Sequence, residues 1–413
     1  MLVLGRQPAL GLAEVESLYG AEKVRPVGPQ ATVVDVDPCL LAFDRLGGSV
    51  KFCKLLTTLD TTNWQQIEKF LLKVSPGHSE QMPAGKMQLG LSLYGFNESL
   101  KQIEATGLKL KKAIRQTGRS VRLIPNKSLE LNSAQVLHNH LTGPTGWELV
   151  FVRDGSRTSV AQTVKVQDIE SYTRRDRLRP KRDAKVGMLP PKLAQILINL
   201  AAGRLPADKL ESICEIPADQ PIPRPLLGKT VLDPFCGTGV VLQEALLMGY
   251  GAYGTDIDQH MIDYSQHNIL TWLKSWYDFE TPAGCETGDA TSMTWGDNPE
   301  YSFDFVASET YLGRPFTAMP TPEVLAQTVA DCNLIIKKFL KNIQGQMPDG
   351  TRLCLAVPAW QTKPNQFKYL PLVDQISDLG YNRISFEHVR DADLLYYRAD
   401  QIVARQLLVI EKE

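Results

Sequence analysis

Residues 231–239 read VLDPFCGTG, an apolar run that ends in Asp233 and passes through a glycine-rich turn into the apolar-periodic stretch 240–248. A strand, a tight glycine turn and a helix in immediate succession form one half of a parallel α/β unit. Gly237 and Gly239 let the backbone approach a ligand without Cβ clashes, and the amino terminus of the following helix offers unpaired N–H donors. Pro234, Phe235, Cys236 and Thr238 complete this candidate ligand loop. A dinucleotide fingerprint would require GxGxxG, but here the GxG follows an acid and precedes Val240 and Val241. An acid at the strand end repels a pyrophosphate and can instead accept from the ammonium of a methionine-like zwitterion. A nicotinamide-dependent oxidoreductase is therefore disfavoured. A purely structural glycine turn remains the bland alternative.

Two more acid-bearing strand ends follow in order. The segment 254–258, GTDID, comes about 20 residues after the turn, where an acid in a Rossmann unit accepts from a ribose hydroxyl pair. Asp256 is the candidate, with Ile257 beside it. Asp258 is the weaker choice, because it stands where the next helix needs a cap. At 288–290, GDA, Asp289 is placed to accept from an adenine amino group, with Ala290 next to it. Strand and helix patterns then alternate to the end of the chain: FDFVAS, the long amphipathic stretch 322–343, RLCLAVPAW, a helix near VDQISDL, and strands RISFEHV and ARQLLVIEK. The expectation for 191–413 is a mainly parallel seven-stranded sheet with helices on both faces and an antiparallel hairpin at one edge.

The other half reads differently. A chain of 413 residues with 43% hydrophobic and 22% charged content is long enough for two or three domains. Its net charge of −1 conceals about +9 over residues 1–190 against about −10 over the remainder. Residues 1–57 read as a small α+β unit: a helix over Leu12–Tyr19, the strand-like ATVVDVD and a second amphipathic stretch around Leu40–Leu46. Residues 58–165 interleave strands with an amphipathic helix at 98–117 and a short helix at SAQVLHNHL, which suits an α+β arrangement rather than a doubly wound sheet. From 166 to 190 the composition becomes basic and poor in aliphatics, with seven Lys/Arg between Arg174 and Lys185. This reads as a linker or exposed arm ahead of the proline-initiated helix in MLPPKLAQILINLAAG.

The fourth strand of the second half runs into Ser308-Glu309-Thr310-Tyr311-Leu312-Gly313. Together with LGRQPALGLAEVESL, the basic arm RRDRLRP, GMLPPKLAQILINLA, LDPFCGTG, TDID and GDA, it makes the chain resemble the THUMP-containing tRNA guanosine-N2-methyltransferases. The resemblance implies a ferredoxin-like domain over 1–57, a THUMP-like RNA-binding domain over 58–165 and a basic linker over 166–190. Residues 191–413 would then form a Rossmann-like class I methyltransferase domain. It also implies S-adenosyl-L-methionine as cofactor and tRNA as partner, with the base flipped out to be modified. A small activator subunit stays open as a further partner, and a monomer is expected otherwise.

Relatives carry Asp or Asn followed by Pro-Pro-Tyr or Pro-Pro-Phe at this fourth strand end, and both prolines are missing here. Either Ser308 takes the acid's place with Tyr311 as the aromatic, or Glu309 takes it with Thr310 where a proline stood. Glu309 is favoured, since it alone supplies carboxylate acceptors for an exocyclic amine. A strand-to-loop exit without chemistry is the blander reading, and the lost prolines favour a catalytically silent RNA-binding homologue. A DNA amino-methyltransferase would share the strand-end chemistry without needing the amino-terminal half.

Lys101 lies in the first turn of the helix over 98–117, and Lys109, Lys111, Lys112 and Arg115 lie towards its carboxyl end, followed by Arg119 and Arg122. The helix dipole accounts for two or three of these cations and leaves the others to phosphate contacts. Lys127, Arg153, Arg157 and, from the arm, Arg174, Arg175, Arg177 and Arg179 join the candidate RNA-binding set. The seven cysteines include no CxxC pair, so no metal site is expected. His138 and His140 read as surface residues, Trp272, Trp276 and Tyr277 as packing, and Cys236 as a small apolar residue. The start of the chain lacks signal-peptide features, and no stretch reaches the roughly 18 apolar residues of a membrane span. A soluble cytoplasmic protein is the expectation.

Overall fold

The structure is a computed structural model, and it describes residues 1–183, 188–214, 228–276, 283–295, 302–316 and 318–413. Lys185, Gly187, Tyr277 and most of the proline-rich stretch before residue 228 lie outside the described residues. The chain forms two compact units. One comprises residues 1–8, 22–35 and 49–170; the other comprises 9–21, 36–48 and 171–413.

The first unit is built on one eight-stranded sheet. Its strands are β1 (Leu2–Leu4), β2 (Val24–Val27), β3 (Ala31–Val34), β4 (Ser49–Leu59), β5 (Met87–Tyr94), β6 (Val121–Leu123), β7 (Gly146–Asp154) and β8 (Arg157–Val166). They lie in the order β2-β3-β1-β4-β8-β7-β5-β6, with β5 parallel to β6 and β7 and the other pairs antiparallel. Strands from either side of residue 57 thus share one sheet, and the sequence boundary at 57/58 does not divide it. Helix α1 (Pro8–Tyr19) groups with the second unit. The stretch at 40–46 forms short 3-10 turns, Pro38–Leu40 and Phe43–Arg45, instead of an amphipathic helix.

Helices α2 (Trp64–Gln81) and α3 (Leu100–Arg115) cover one face of this sheet, and α4 (Ser133–His138) is short. Ser99 and Gln102 form a capping box that starts α3. Its buried Ile103, Leu110 and Ile114 recur at helical spacing, while Lys101, Lys109 and Lys112 lie exposed. Gly107 lets the helix pack closely on β6: a Cβ there would come within 2.7 Å of the Leu123 side chain, which would have to shift.

Four strands of the sheet, β4, β5, β7 and β8, contribute to a fully buried ionic cluster. Lys51 of β4 pairs with Glu148 of β7, whose carboxylate also accepts from Ser92 and Thr163, each at 2.5 Å. Burying two charges is tolerable only when their remaining hydrogen-bonding capacity is met, and these side chains meet it. Glu148→Ala leaves Lys51 buried and unpaired, and should lower the unfolding free energy by roughly 3–5 kcal/mol. Urea denaturation of the full chain measures this, and the double variant Lys51→Met/Glu148→Leu should recover most of the loss.

The second unit has the expected alternation. After α5 (Ile169–Arg177), α6 (Pro191–Ala202) and α7 (Ala207–Cys214) come β9 (Thr230–Asp233), α8 (Val240–Leu247), β10 (Gly251–Asp256), α9 (Gln259–Gln266), α10 (Lys274–Trp276) and β11 (Ala283–Thr287). The rest is β12 (Phe305–Glu309), α11 (Pro322–Gln344), β13 (Arg352–Lys363), β14 (Gln366–Lys368), β15 (Tyr381–Arg383), β16 (Leu395–Tyr396) and β17 (Val403–Lys412). The sheet runs β11-β10-β9-β12-β13-β17-β15, with β14 on β13 and β16 on β17. Its first five strands are parallel, and β17 is antiparallel to both of its neighbours on that path. Numbered along this unit, the path reads 3-2-1-4-5-7-6.

Three readings of this half need correction. The basic stretch is not simply an extended arm, because Ile169–Arg177 forms a helix. The helix near VDQISDL is two 3-10 turns, Pro371–Gln375 and Ser377–Leu379. Of the expected strand RISFEHV only Arg383 lies in a strand, as the last residue of β15; Ile384 adds one backbone hydrogen bond to Val409, and the chain then turns through loops to reach β16.

Candidate active site

At the carboxyl ends of β9, β10 and β12 the second unit encloses a cavity of about 990 Å³. This is where an open parallel sheet reverses its strand order, and the loops diverge there to leave a crevice. Asp233, Pro234, Phe235, Cys236, Gly237, Thr238, Asp256, Ile257, Asp289 and Ala290 all line it, as do Glu309, Thr310 and Tyr311. Gly239 and Ser308 do not line it: Gly239 caps the helix Val240–Leu247, and Ser308 donates to Asp233. Candidates from four separate strand ends of the sequence thus line one cavity.

Asp233 is almost fully buried. Its Oδ1 accepts from Ser308 Oγ at 2.6 Å and from the Phe235 N–H at 3.2 Å. Burial pushes the carboxyl up from 3.8 to about 7, and the two hydrogen bonds offset only part of that. Gly237 and Gly239 both adopt positive φ, +51° and +79°. A Cβ on Gly237 would meet nothing within 4 Å, so the turn leaves open space on the ligand side. The turn is held by its neighbours: the Gly237 N–H donates to Asp256 Oδ2 at 2.9 Å, and Ser265 Oγ donates to the Gly237 carbonyl at 2.7 Å.

Asp256 is half-buried, and its other oxygen accepts from the Asp258 N–H at 3.0 Å. Burial raises its carboxyl above the ordinary value. Asp258 caps α9 through the His260 N–H, the role the sequence suggested for it. Asp289 Oδ1 accepts from both the N–H and the hydroxyl of Thr291, which fixes the loop after β11. Cys236 is buried with its thiol raised well above the usual range by desolvation, consistent with a packing role.

The end of β12 separates its four candidates. Ser308 is buried against Asp233, and Thr310 turns into the sheet to donate to the Ala356 carbonyl at 3.2 Å. Glu309 and Tyr311 are left to the cavity. Glu309 Oε1 accepts from Arg405 Nε at 2.7 Å, both side chains being largely buried. Tyr311 is 43% exposed, open enough to stack on a planar ligand.

Sequence reasoning missed Arg405, which lies 96 residues from Glu309 and comes beside it only through the β12-β13-β17 order. It also missed Ser265 and Asn268. Asn268 lies in a π-helical segment, His267–Leu273, and donates to the Thr238 carbonyl at 3.0 Å. No local pattern announces a side chain that holds a distant carbonyl.

The basic candidates divide between the units. In the first, Lys112, Arg115 and Arg122 are exposed and Lys111 partly so. Lys109 pairs with Glu68 at 2.6 Å, and Arg119 is spent on the carbonyls of Ser79, Met82 and Pro83 at the end of α2. In the second unit Arg177 is exposed, and Arg174 stacks on Trp276 at 4.4 Å. Arg175 and Arg179 are buried, and Arg175 forms an ion pair with Glu244. The expectation of a phosphate-facing role for these two is corrected: Arg175 turns inward from the helix Ile169–Arg177 to its partner, and Arg179, just beyond the helix end, is buried.

Among the described residues no group of acidic, His or Cys side chains could hold a metal, and no helix is long and apolar enough to cross a membrane.

The 3-2-1-4-5-7-6 sheet with its strand-end cavity defines the second unit as a Rossmann-like class I methyltransferase fold. No family model matches the chain. Over 173 residues it is 25% identical to the tRNA (guanine(10)-N2)-dimethyltransferase of Methanothermobacter thermautotrophicus, covering 42% of this chain and 39% of that one. Over 116 residues it is 31% identical to the protein of the same name from Methanocaldococcus jannaschii, covering 27% and 26%. The matched stretches thus span well under half the length of these relatives. The crystal structure of TrmN from Thermus thermophilus matches 100% of this chain and 98% of its own, with TM-score 0.50 at 17% identity. That likeness concerns the fold. The sequence matches and this fold match agree with the resemblance expected from the sequence motifs.

The Asp233 carboxyl carries a pH signature. Between 3.8 and about 7 the folded protein holds a proton that the unfolded chain releases. The stabilisation is full below the lower value and is lost as pH rises through the upper one. Asp233→Asn should therefore flatten the fall in unfolding free energy across this window by up to about 4 kcal/mol. Urea titrations at pH 4 and 7 read it, and equal falls for both proteins would contradict it.

Proposed function

We propose that the chain transfers a methyl group from S-adenosyl-L-methionine to the exocyclic N2 of a guanosine in tRNA. The observation that carries this reading is the position of Glu309 and Tyr311 on the wall of the same cavity as Asp233, Gly237, Asp256 and Asp289. The residues fit such a donor. Gly237 leaves room at the turn, Asp256 offers two oxygens to a ribose diol, and Asp233 stands where an ammonium would keep it ionised.

When bound, the donor supplies an electrophilic methyl group, whose carbon–sulfur bond breaks towards sulfur as the amine nitrogen takes the carbon. The protein's part is alignment and charge. Glu309 accepts from the amine N–H, which turns the nitrogen lone pair towards the methyl group, and afterwards takes the proton that the cationic amine sheds. Tyr311 offers its ring to a base extruded from the RNA stack. The exposed Lys112, Arg115 and Arg122 of the first unit supply phosphate contacts, and RNA affinity carried by such contacts falls with salt. A silent RNA-binding homologue is the second reading, favoured by the missing prolines and by the existing pairing of Glu309 with Arg405.

The deciding assay incubates the protein with unmodified tRNA and labelled donor and analyses the nucleosides by mass spectrometry. N2-methylguanosine is the expected product; tRNA and donor binding without any methylated nucleoside would leave the silent reading. In the same assay Asp256→Ala should weaken donor binding by roughly 1.5–3 kcal/mol. Glu309→Gln should lower kcat by roughly ten- to a thousandfold and leave donor affinity almost unchanged.

A further inference from the structure

The ion pair at the end of β12 has a geometry that the loss of the prolines makes meaningful. Thr310 fixes the backbone after Glu309 from one side, with its N–H and hydroxyl both donating to the Ala356 carbonyl. Arg405 fixes the side chain from the other. Glu309 is in register with Ala356 of β13, and Arg405 with Pro358 of the same strand, so the pair bridges β12 to β17 across β13. The contact falls on Oε1 alone, and Oε2 takes no hydrogen bond among the described residues. Both partners line the cavity.

We propose, on the functional reading above, that Arg405 is a positioning residue: it pins Oε1 of Glu309 and leaves Oε2 as the oxygen offered to the substrate amine. A glutamate has one more rotatable bond than an aspartate, and without flanking prolines its carboxylate would sample several orientations. The rigid guanidinium, donating through Nε to Oε1, selects one of them. The other charged groups around the cavity are Asp233, Asp256, Asp258 and Asp289 at the strand ends, Arg314, Lys338 on α11, and Asp400. Arg405 is the cation in contact with Glu309, and with Oε1 so engaged the amine's proton passes to Oε2 and from there to solvent.

Arg405→Ala should lower kcat roughly ten- to a hundredfold near neutral pH, with donor affinity by calorimetry within about threefold of wild type. KM for tRNA should stay within about threefold, so that the loss falls on kcat, and the double variant Arg405→Ala/Glu309→Gln should be little slower than Glu309→Gln alone. Arg405→Lys keeps the charge on a more flexible stem, and its kcat should fall between wild type and Arg405→Ala. An unchanged or increased kcat in Arg405→Ala would overturn the proposal, since the pair would then merely tie Glu309 up.

A readout independent of turnover separates this from the functional reading. A crystal structure of Arg405→Ala should show the Glu309 carboxylate turned away from its wild-type orientation or spread over more than one. An unchanged single orientation overturns the role given to Arg405. If wild type makes no N2-methylguanosine, the functional reading fails on its own evidence, and the side-chain orientation still decides whether Arg405 positions Glu309.

Discussion

A carboxyl group at the end of a buried strand needs donors, and the site is organised around how Asp233 finds them. Its strand, β9, lies between β10 and β12, and water reaches the side chain hardly at all. Ser308 on β12 and the Phe235 N–H satisfy it, which joins the glycine turn to the fourth strand. Because side chains alternate along a strand, committing Ser308 to Asp233 sends Glu309 to the opposite side and leaves it for Arg405. One hydrogen bond thereby sets the register of the proposed acceptor relative to the proposed donor site. The residual cost of burial appears as the raised Asp233 carboxyl, which an ammonium ligand would relieve.

The glycine turn itself is over-determined. Gly237 takes part through its N–H and its carbonyl, to Asp256 and Ser265, and Asn268 holds the Thr238 carbonyl. A positive-φ turn whose polar groups are already satisfied keeps its shape without a ligand, and preorganisation of this kind lowers the ordering that binding would require. The π-helical segment that carries Asn268 belongs to this support, in line with the tendency of such segments to occur at functional sites.

Much of the second unit was legible in the sequence because its strands are short, apolar and separated by amphipathic helices, and because its chemistry sits at strand ends that glycine and aspartate mark. Asp256, Asp289 and the 308–311 segment were found that way. What escaped was long-range: Arg405 comes beside Glu309 only once β17 inserts antiparallel next to β13. Arg175 and Arg179 read as surface charge until the helix Ile169–Arg177 turned the first of them towards Glu244. The boundary at residue 57 looked plausible because local patterns cannot show that β1 and β4 pair with each other and continue into β8.

A crystal structure of the chain grown with S-adenosylhomocysteine tests the central claim most directly, that the strand-end cavity is the methyl-donor site. The account predicts the ribose diol against Asp256, the adenine beside Asp289, and the amino-acid moiety at the Asp233–Gly237 turn, with the sulfur turned towards Glu309. Density for the ligand elsewhere, or a cavity that stays empty at saturating ligand, would contradict it.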